Sequence, residues 1–230
     1  MKFKMVLIMN KVRIGVLTIG QSPRKDIMTD IMPLFLPHIK IVEGGLLDNL
    51  SPEEIQDLKP GITETPLITR LRDGSQVQLS EKKISELLPK AINRMKTKTK
   101  VKAIGILCSH VFPENEFSFP VIFPFDHLKL LVNCILKIRS LGVVVPLKNQ
   151  ITKARNKWET EKIVIKEKSP YIKGESWKII TQSFVEENVE AVILDCIGFR
   201  LADKQKMQNL IAVPILLPST ILAFTVNQLF

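Results

Sequence analysis

Two segments of this chain repeat one another. Residues 101–108 read VKAIGILC and residues 189–196 read VEAVILDC, with Val101 matching Val189, Ala103 matching Ala191, Ile106 matching Leu194 and Cys108 matching Cys196. Each is a short, continuous apolar run, the pattern of a parallel strand covered on both faces. An amphipathic helical pattern precedes each, at roughly Glu81 to Lys96 and Glu175 to Asn188. A second pair, IGVLT at 14–18 and LGVVV at 141–145, occurs in the same order relative to the first. Two ordered pairs predict two related halves, 12–130 and 138–230. Strand and helix alternate in both, so the expected class is α/β, with two pseudo-symmetric lobes that each hold a mainly parallel sheet flanked by helices. Residues 1–11 fall outside the repeat and read as an N-terminal extension.

The first half is longer, because Cys108 lies 93 residues after Gly15 whereas Cys196 lies 54 after Gly142. The surplus reads as a helix and hairpin inserted at about 43–80. Ser51-Pro52-Glu53-Glu54 supplies an N-cap, a proline for the first turn and acids for the helix dipole. Leu67 to Leu79 forms two apolar runs around Asp73-Gly74, a hairpin signal, and Ser80 is placed to cap the helix after it. The apolar C-terminal segment, Asn209 to Phe230, is broken by Pro214 and Pro218 and reads as a buried strand followed by a helix, not as a membrane span.

The formal net charge of +10 raises the question of a nucleic-acid partner. The basic residues gather in Lys90 to Lys102 and Lys148 to Lys173, the second interspersed with Glu159, Glu161 and Glu167 and neither interleaved with aromatics. That pattern predicts a solvated basic surface that attracts small anions, and no nucleic-acid binding. Three cysteines without CxxC spacing argue against a disulfide framework and a zinc site. Cys134, among apolar residues at helical spacing, reads as core. With no targeting pattern, no P-loop or GxGxxG and no metal-ligand spacing, the expectation is a cytoplasmic protein without cofactor or metal, free to form a homodimer.

In parallel sheets ligands bind beyond the carboxyl ends of the strands, where Cys108 and Cys196 both fall. A thiol there, aimed at a helix N-terminus, is expected to ionise below its usual pKa of about 8.5. Two thiols on opposite sides of a cleft can act as acid and base at a carbon next to a carboxylate, if donors nearby stabilise the developing charge. Candidate substrate-binding residues are Gln21, Ser22 and Arg24 after the first strand, Ser109 and His110 after Cys108, and Asp195 and Gly198 around Cys196. The other reading of each stands beside this one: buried cysteines commonly only pack, and Arg24 at a strand-to-helix turn could be simply exposed.

The blocks GQSPR (20–24), ETPLITRLRDG (64–74), ILCS (106–109), LGVVVPL (141–147), Lys157-Trp158 and LDCIGF (194–199) together resemble the AroM family over nearly the whole chain from about Val12. AroM-like proteins are in turn distantly similar to the aspartate/glutamate racemase superfamily. The resemblance implies two pseudo-symmetric α/β lobes, a cysteine from each at the interlobe cleft, and cofactor-independent racemisation, isomerisation or decarboxylation of a small carboxylate. It places Cys108 at the first-lobe Cys-Asn-Thr motif, here Cys-Ser-His, and Cys196 at the second-lobe Gly-Cys-Thr-His motif, here Asp-Cys-Ile-Gly. The family name, tied to the regulation of aromatic biosynthesis, supports an alternative: a non-catalytic protein that senses a small carboxylate or phosphate.

Overall fold

The structure, a computed structural model, describes residues 11–113, 116–172 and 176–230. The N-terminal extension apart from Lys11, and Glu175 at the expected start of the later helix, lie outside the described residues. The first sheet contains β1 (Val12–Thr18), β2 (Ile39–Gly45), β5 (Ala103–Leu107) and β6 (Val121–Ile122), in the order β2-β1-β5-β6. The second contains β7 (Ser140–Val145), β8 (Lys162–Glu167), β9 (Ala191–Leu194) and β10 (Ile215–Leu216), in the order β8-β7-β9-β10. Every pairing in both sheets is parallel. The repeated segments form the two central strands of each sheet, with Ile14 beside Ala103 in one and Leu141 beside Ala191 in the other.

Successive side chains along these strands point to opposite faces, and each face has its own core. In the first sheet Ile104 and Ile106 pack against Ile84, Leu88 and Ile92 of α3 (Glu81–Thr99). In the second sheet Val192 and Leu194 pack against Ile180 and Phe184 of α6 (Trp177–Glu186). Full burial of an aliphatic side chain contributes about 1.5–3 kcal/mol relative to exposure, so these faces hold each half together.

The opposite faces join the halves. Helix α8 (Pro218–Leu229) ends the second half, yet its Leu222, Ala223 and Val226 lie in the cluster of Ile14, Val16, Ala103 and Leu107 from the first sheet. Helix α4 (Pro124–Leu130) follows the first sheet, yet its Phe125 and Leu128 lie with Leu141, Val143, Ala191 and Ile193 of the second. Each half therefore lends a helix to the other's core. Helix α8 lies tight against Gly105, where an added Cβ would lie 2.5 Å from Leu222 Cδ1. Gly105→Ala should destabilise the protein by about 1–3 kcal/mol through overpacking, read as a lowered urea midpoint. An unchanged midpoint would show that α8 does not press on this sheet.

The segment between β2 and α3 forms as its residues dictate. Ser51 and Glu54 make a reciprocal capping box at the start of α2 (Pro52–Asp57), and β3 (Pro66–Arg70) pairs antiparallel with β4 (Gln76–Ser80). Ser80 accepts a hydrogen bond from the Lys83 amide at the start of α3. The hairpin bridges the halves: Leu67 and Leu79 join the first-sheet core, whereas Ile68 joins the Trp177–Phe184 core of the second. Cys134 departs from expectation, being exposed. It lies in a π-helical turn, Leu131–Ile135, whose wider winding keeps Val132 buried while turning Cys134 outward. Among the described residues no helix is long and apolar enough to cross a membrane.

Candidate functional site

Cys108 directly follows β5, and Cys196 lies just beyond β9. Both residues line one cavity of about 380 Å³, together with Ser109, His110 and Asp195. The two cysteines are also held alike. The backbone N–H two residues on points at each sulfur, from His110 to Cys108 and from Gly198 to Cys196 at 3.5 Å.

The expectation of acidified thiols is corrected. Burial pushes Cys108 up to about 12 and Cys196 up to about 11, and outweighs the amides that favour the thiolates. Each sulfur lies in a hydrophobic cluster, where charge is poorly solvated. The carboxylate of Asp195 and, for Cys108, the second sulfur push in the same direction. Both are thiols at neutral pH.

Helix α5 (Ile151–Lys157) and the residue before it make a polar seam across the cavity. Gln150 donates to the Pro66 carbonyl at 2.8 Å, Lys153 pairs with Glu81, and Lys157 donates to the Ser109 carbonyl at 2.6 Å. Spaced at three and four residues, these side chains share a helix face. Lys157 also binds both Asp195 oxygens, at 2.7 and 2.9 Å, so one ammonium ties the loop after Cys108 to the residue before Cys196. This pair is almost dry, with 9% and 5% of the two side chains exposed. Lys157 also stands over the ring of Phe125 at 4.9 Å. The basic stretch read as solvated surface thus supplies two cavity-lining cations. Only their acid partners, Glu81 and Asp195, reveal them, and those lie far away in sequence.

His110 is buried, with its Nε2 3.3 Å from Glu81 Oε1 but without a well-aligned hydrogen bond. Burial lowers its pKa despite Glu81, so it is neutral near pH 7. Contact with His110, aided by Lys153 and opposed by burial, holds Glu81 at about 2. A carboxylate held low stabilises the fold above its unfolded pKa, and this contribution is lost as pH falls through the folded value. We expect stability to drop between about pH 4.5 and 2, and less steeply in Glu81→Gln. Equal slopes in pH-dependent denaturation would contradict the assignment.

The remaining expected residues do not line this cavity. The amides of Gly20, Gln21 and Ser22 are taken by Thr18 Oγ1, the Arg70 carbonyl and Asp48, which leaves no anion nest. Gln21 donates to the Leu47 carbonyl and accepts from the Arg72 amide, and the Ser22 hydroxyl donates to Asp48. Arg24 is neither exposed nor a free clamp. It is 2% exposed and grips Asp26 with two bonds of 2.9 and 2.8 Å.

Arg24 also donates to the Tyr171 hydroxyl at 3.3 Å, and Tyr171 in turn contacts Cys196 and favours its thiolate. Gly198 makes room for this phenol: an added Cβ would sit 2.4 Å from its oxygen. Asp26, Arg24 and Tyr171 therefore form a supporting chain behind Cys196. Tyr171, the single tyrosine of the sequence, carried no motif to announce this place. Among the described residues no three His, Cys, Asp or Glu side chains are grouped as metal ligands.

Comparison with solved structures gives the fold a context. Allantoin racemase from Pseudomonas fluorescens matches with a TM-score of 0.60 at 13% identity, over 95% of this chain and 90% of that one. Glutamate racemase from Francisella tularensis, in complex with D-glutamate, matches with a TM-score of 0.56 at 16% identity, over 96% and 81%. Glutamate racemase from Aquifex pyrophilus gives 0.54 at 14% identity, over 95% and 84%. At such identities the likeness shows a shared fold: two parallel four-stranded sheets flanked by helices, as in aspartate/glutamate racemases. No curated protein matches the sequence. The family described as AroM protein matches residues 14–230, and over that span the chain belongs to the AroM family.

Proposed function

We propose that this protein catalyses cofactor-independent proton transfer at a carbon next to a carboxylate, with Cys108 and Cys196 as the acid–base pair. The observation that supports this reading is the approach of one thiol from each half to a single small cavity, each beneath an equivalent backbone amide. One thiolate would take a proton from one face of the carbon while the opposite thiol delivers one to the other. Racemisation and isomerisation by proton shift use both the removal and the delivery, whereas a decarboxylation, in which the departing CO2 leaves its electron pair on the carbon, uses the delivery alone. Thiolates of high proton affinity are stronger bases toward a weakly acidic carbon, though less abundant at neutral pH.

A second reading, a binding protein that senses a small carboxylate, is favoured by the same thiols being held protonated by burial. Incubation in deuterium oxide with small amino, hydroxy and aryl carboxylates separates the two. Proton transfer predicts deuterium at the carbon next to the carboxylate, lost in both Cys108→Ala and Cys196→Ala. Binding without exchange in the wild type would establish the sensing reading instead.

A further inference from the structure

The charges around the cavity are already balanced within the protein. Three lysines line it, and each is bonded to a carboxylate that also lines it: Lys129 to Glu159 at 2.8 Å, Lys153 to Glu81, and Lys157 to Asp195 at 2.7 Å. No arginine lines the cavity among the described residues. A second ligand carboxylate would have to compete with a protein carboxylate for one of these lysines, or lie without a counter-ion beside the almost dry Lys157–Asp195 pair. An α-ammonium group would likewise compete with a lysine for its acid.

Groups of another kind are uncommitted, the buried His110 Nε2 among them. Ser109 and Asn156 line the cavity, and their side-chain polar atoms bond to no protein group among the described residues. These are neutral donors, enough for one carboxylate. Much of the remaining wall is apolar, including Ile19, Leu67, Ile68, Phe125, Val145 and Pro146. A pocket lined this way binds by covering apolar surface and orients its ligand through a few polar groups.

We infer that the cavity takes a monocarboxylate with an apolar body, such as an aryl- or branched alkyl-substituted acetate, in preference to an amino dicarboxylate. The carboxylate lies by Ser109 and Asn156, and the apolar body lies against Ile68 and Phe125. The inference rests on the proposed carboxylate chemistry of this cavity but does not require turnover there. It sets this site apart from that of the glutamate racemases, whose fold it shares.

Titration calorimetry at pH 7.5 with phenylacetate, 2-phenylpropionate, L-glutamate, D-glutamate and L-aspartate tests it directly. The two aryl acids should bind at least tenfold more tightly than any of the amino dicarboxylates. Ser109→Ala and Asn156→Ala should each weaken the aryl acids several-fold, and Ile68→Asn should reduce the preference. Cys108→Ala and Cys196→Ala should retain it, so loss of exchange alone leaves this inference standing. Glutamate or aspartate binding as tightly as the aryl acids would overturn it, as would the absence of aryl-acid binding at millimolar concentration in folded protein.

Discussion

Replacing Lys157 with methionine should destabilise the protein by about 3–5 kcal/mol, because it leaves a buried carboxylate without its partner. Lys157 and Asp195 are both almost wholly withdrawn from solvent, and the ammonium also satisfies the Ser109 carbonyl. Methionine preserves most of the length and packing, so the loss isolates the charge. The double variant Lys157→Met/Asp195→Leu should recover most of that stability, since two apolar side chains replace a pair whose desolvation was costly. Urea denaturation of the two single variants and the double variant closes the cycle. A single-variant cost below about 1 kcal/mol, typical of exposed pairs, would show that the pair is solvated and that α5 does not tie the halves together.

The second large effect is on the pH dependence of exchange. Burial raises Cys108 to about 12 and Cys196 to about 11, and the Cys196 sulfur adds to the rise at Cys108. Well below the lower value, the fraction of enzyme carrying one thiolate grows about tenfold per pH unit. Deuterium incorporation per second at saturating ligand should therefore climb about tenfold for each unit between pH 7 and 10. Either cysteine-to-alanine variant should reduce it about 10²–10⁴-fold. In Cys196→Ala the remaining thiol should also ionise at lower pH, because its neighbouring sulfur helps to raise it. A plateau from pH 7 upward would mean that the thiols ionise near neutrality and that the cavity is wetter than its apolar walls indicate.

Much of the architecture was legible because strands covered on both faces are written as unbroken apolar runs. VKAIGILC and VEAVILDC could hardly form anything else, and their order defined two sheets with equivalent central strands. The N-cap at Ser51 and the Asp73-Gly74 turn were legible because both depend on residues a few positions apart. The helix exchange was not, since Leu222 and Leu128 present apolar faces that do not specify which sheet they meet. The site divides along the same line. Strand ends located Cys108 and Cys196, whereas local chemistry could not show that Asp48 consumes Ser22 or that Asp195 draws Lys157 inward. The thiol acidity was misread because a favourable amide can be seen in the local sequence pattern, while the surrounding apolar shell is assembled from distant segments.

The central claim is that two thiols from two halves serve opposite faces of one carbon. It is tested most directly by giving the wild type a single enantiomer of an exchanging 2-substituted monocarboxylate in deuterium oxide, and following both enantiomers by chiral separation and mass spectrometry. The account predicts that deuterium appears first in the inverted enantiomer while the recovered starting enantiomer remains protonated. Deuterium entering the starting enantiomer at the same rate, or exchange persisting when both cysteines are alanine, would contradict it.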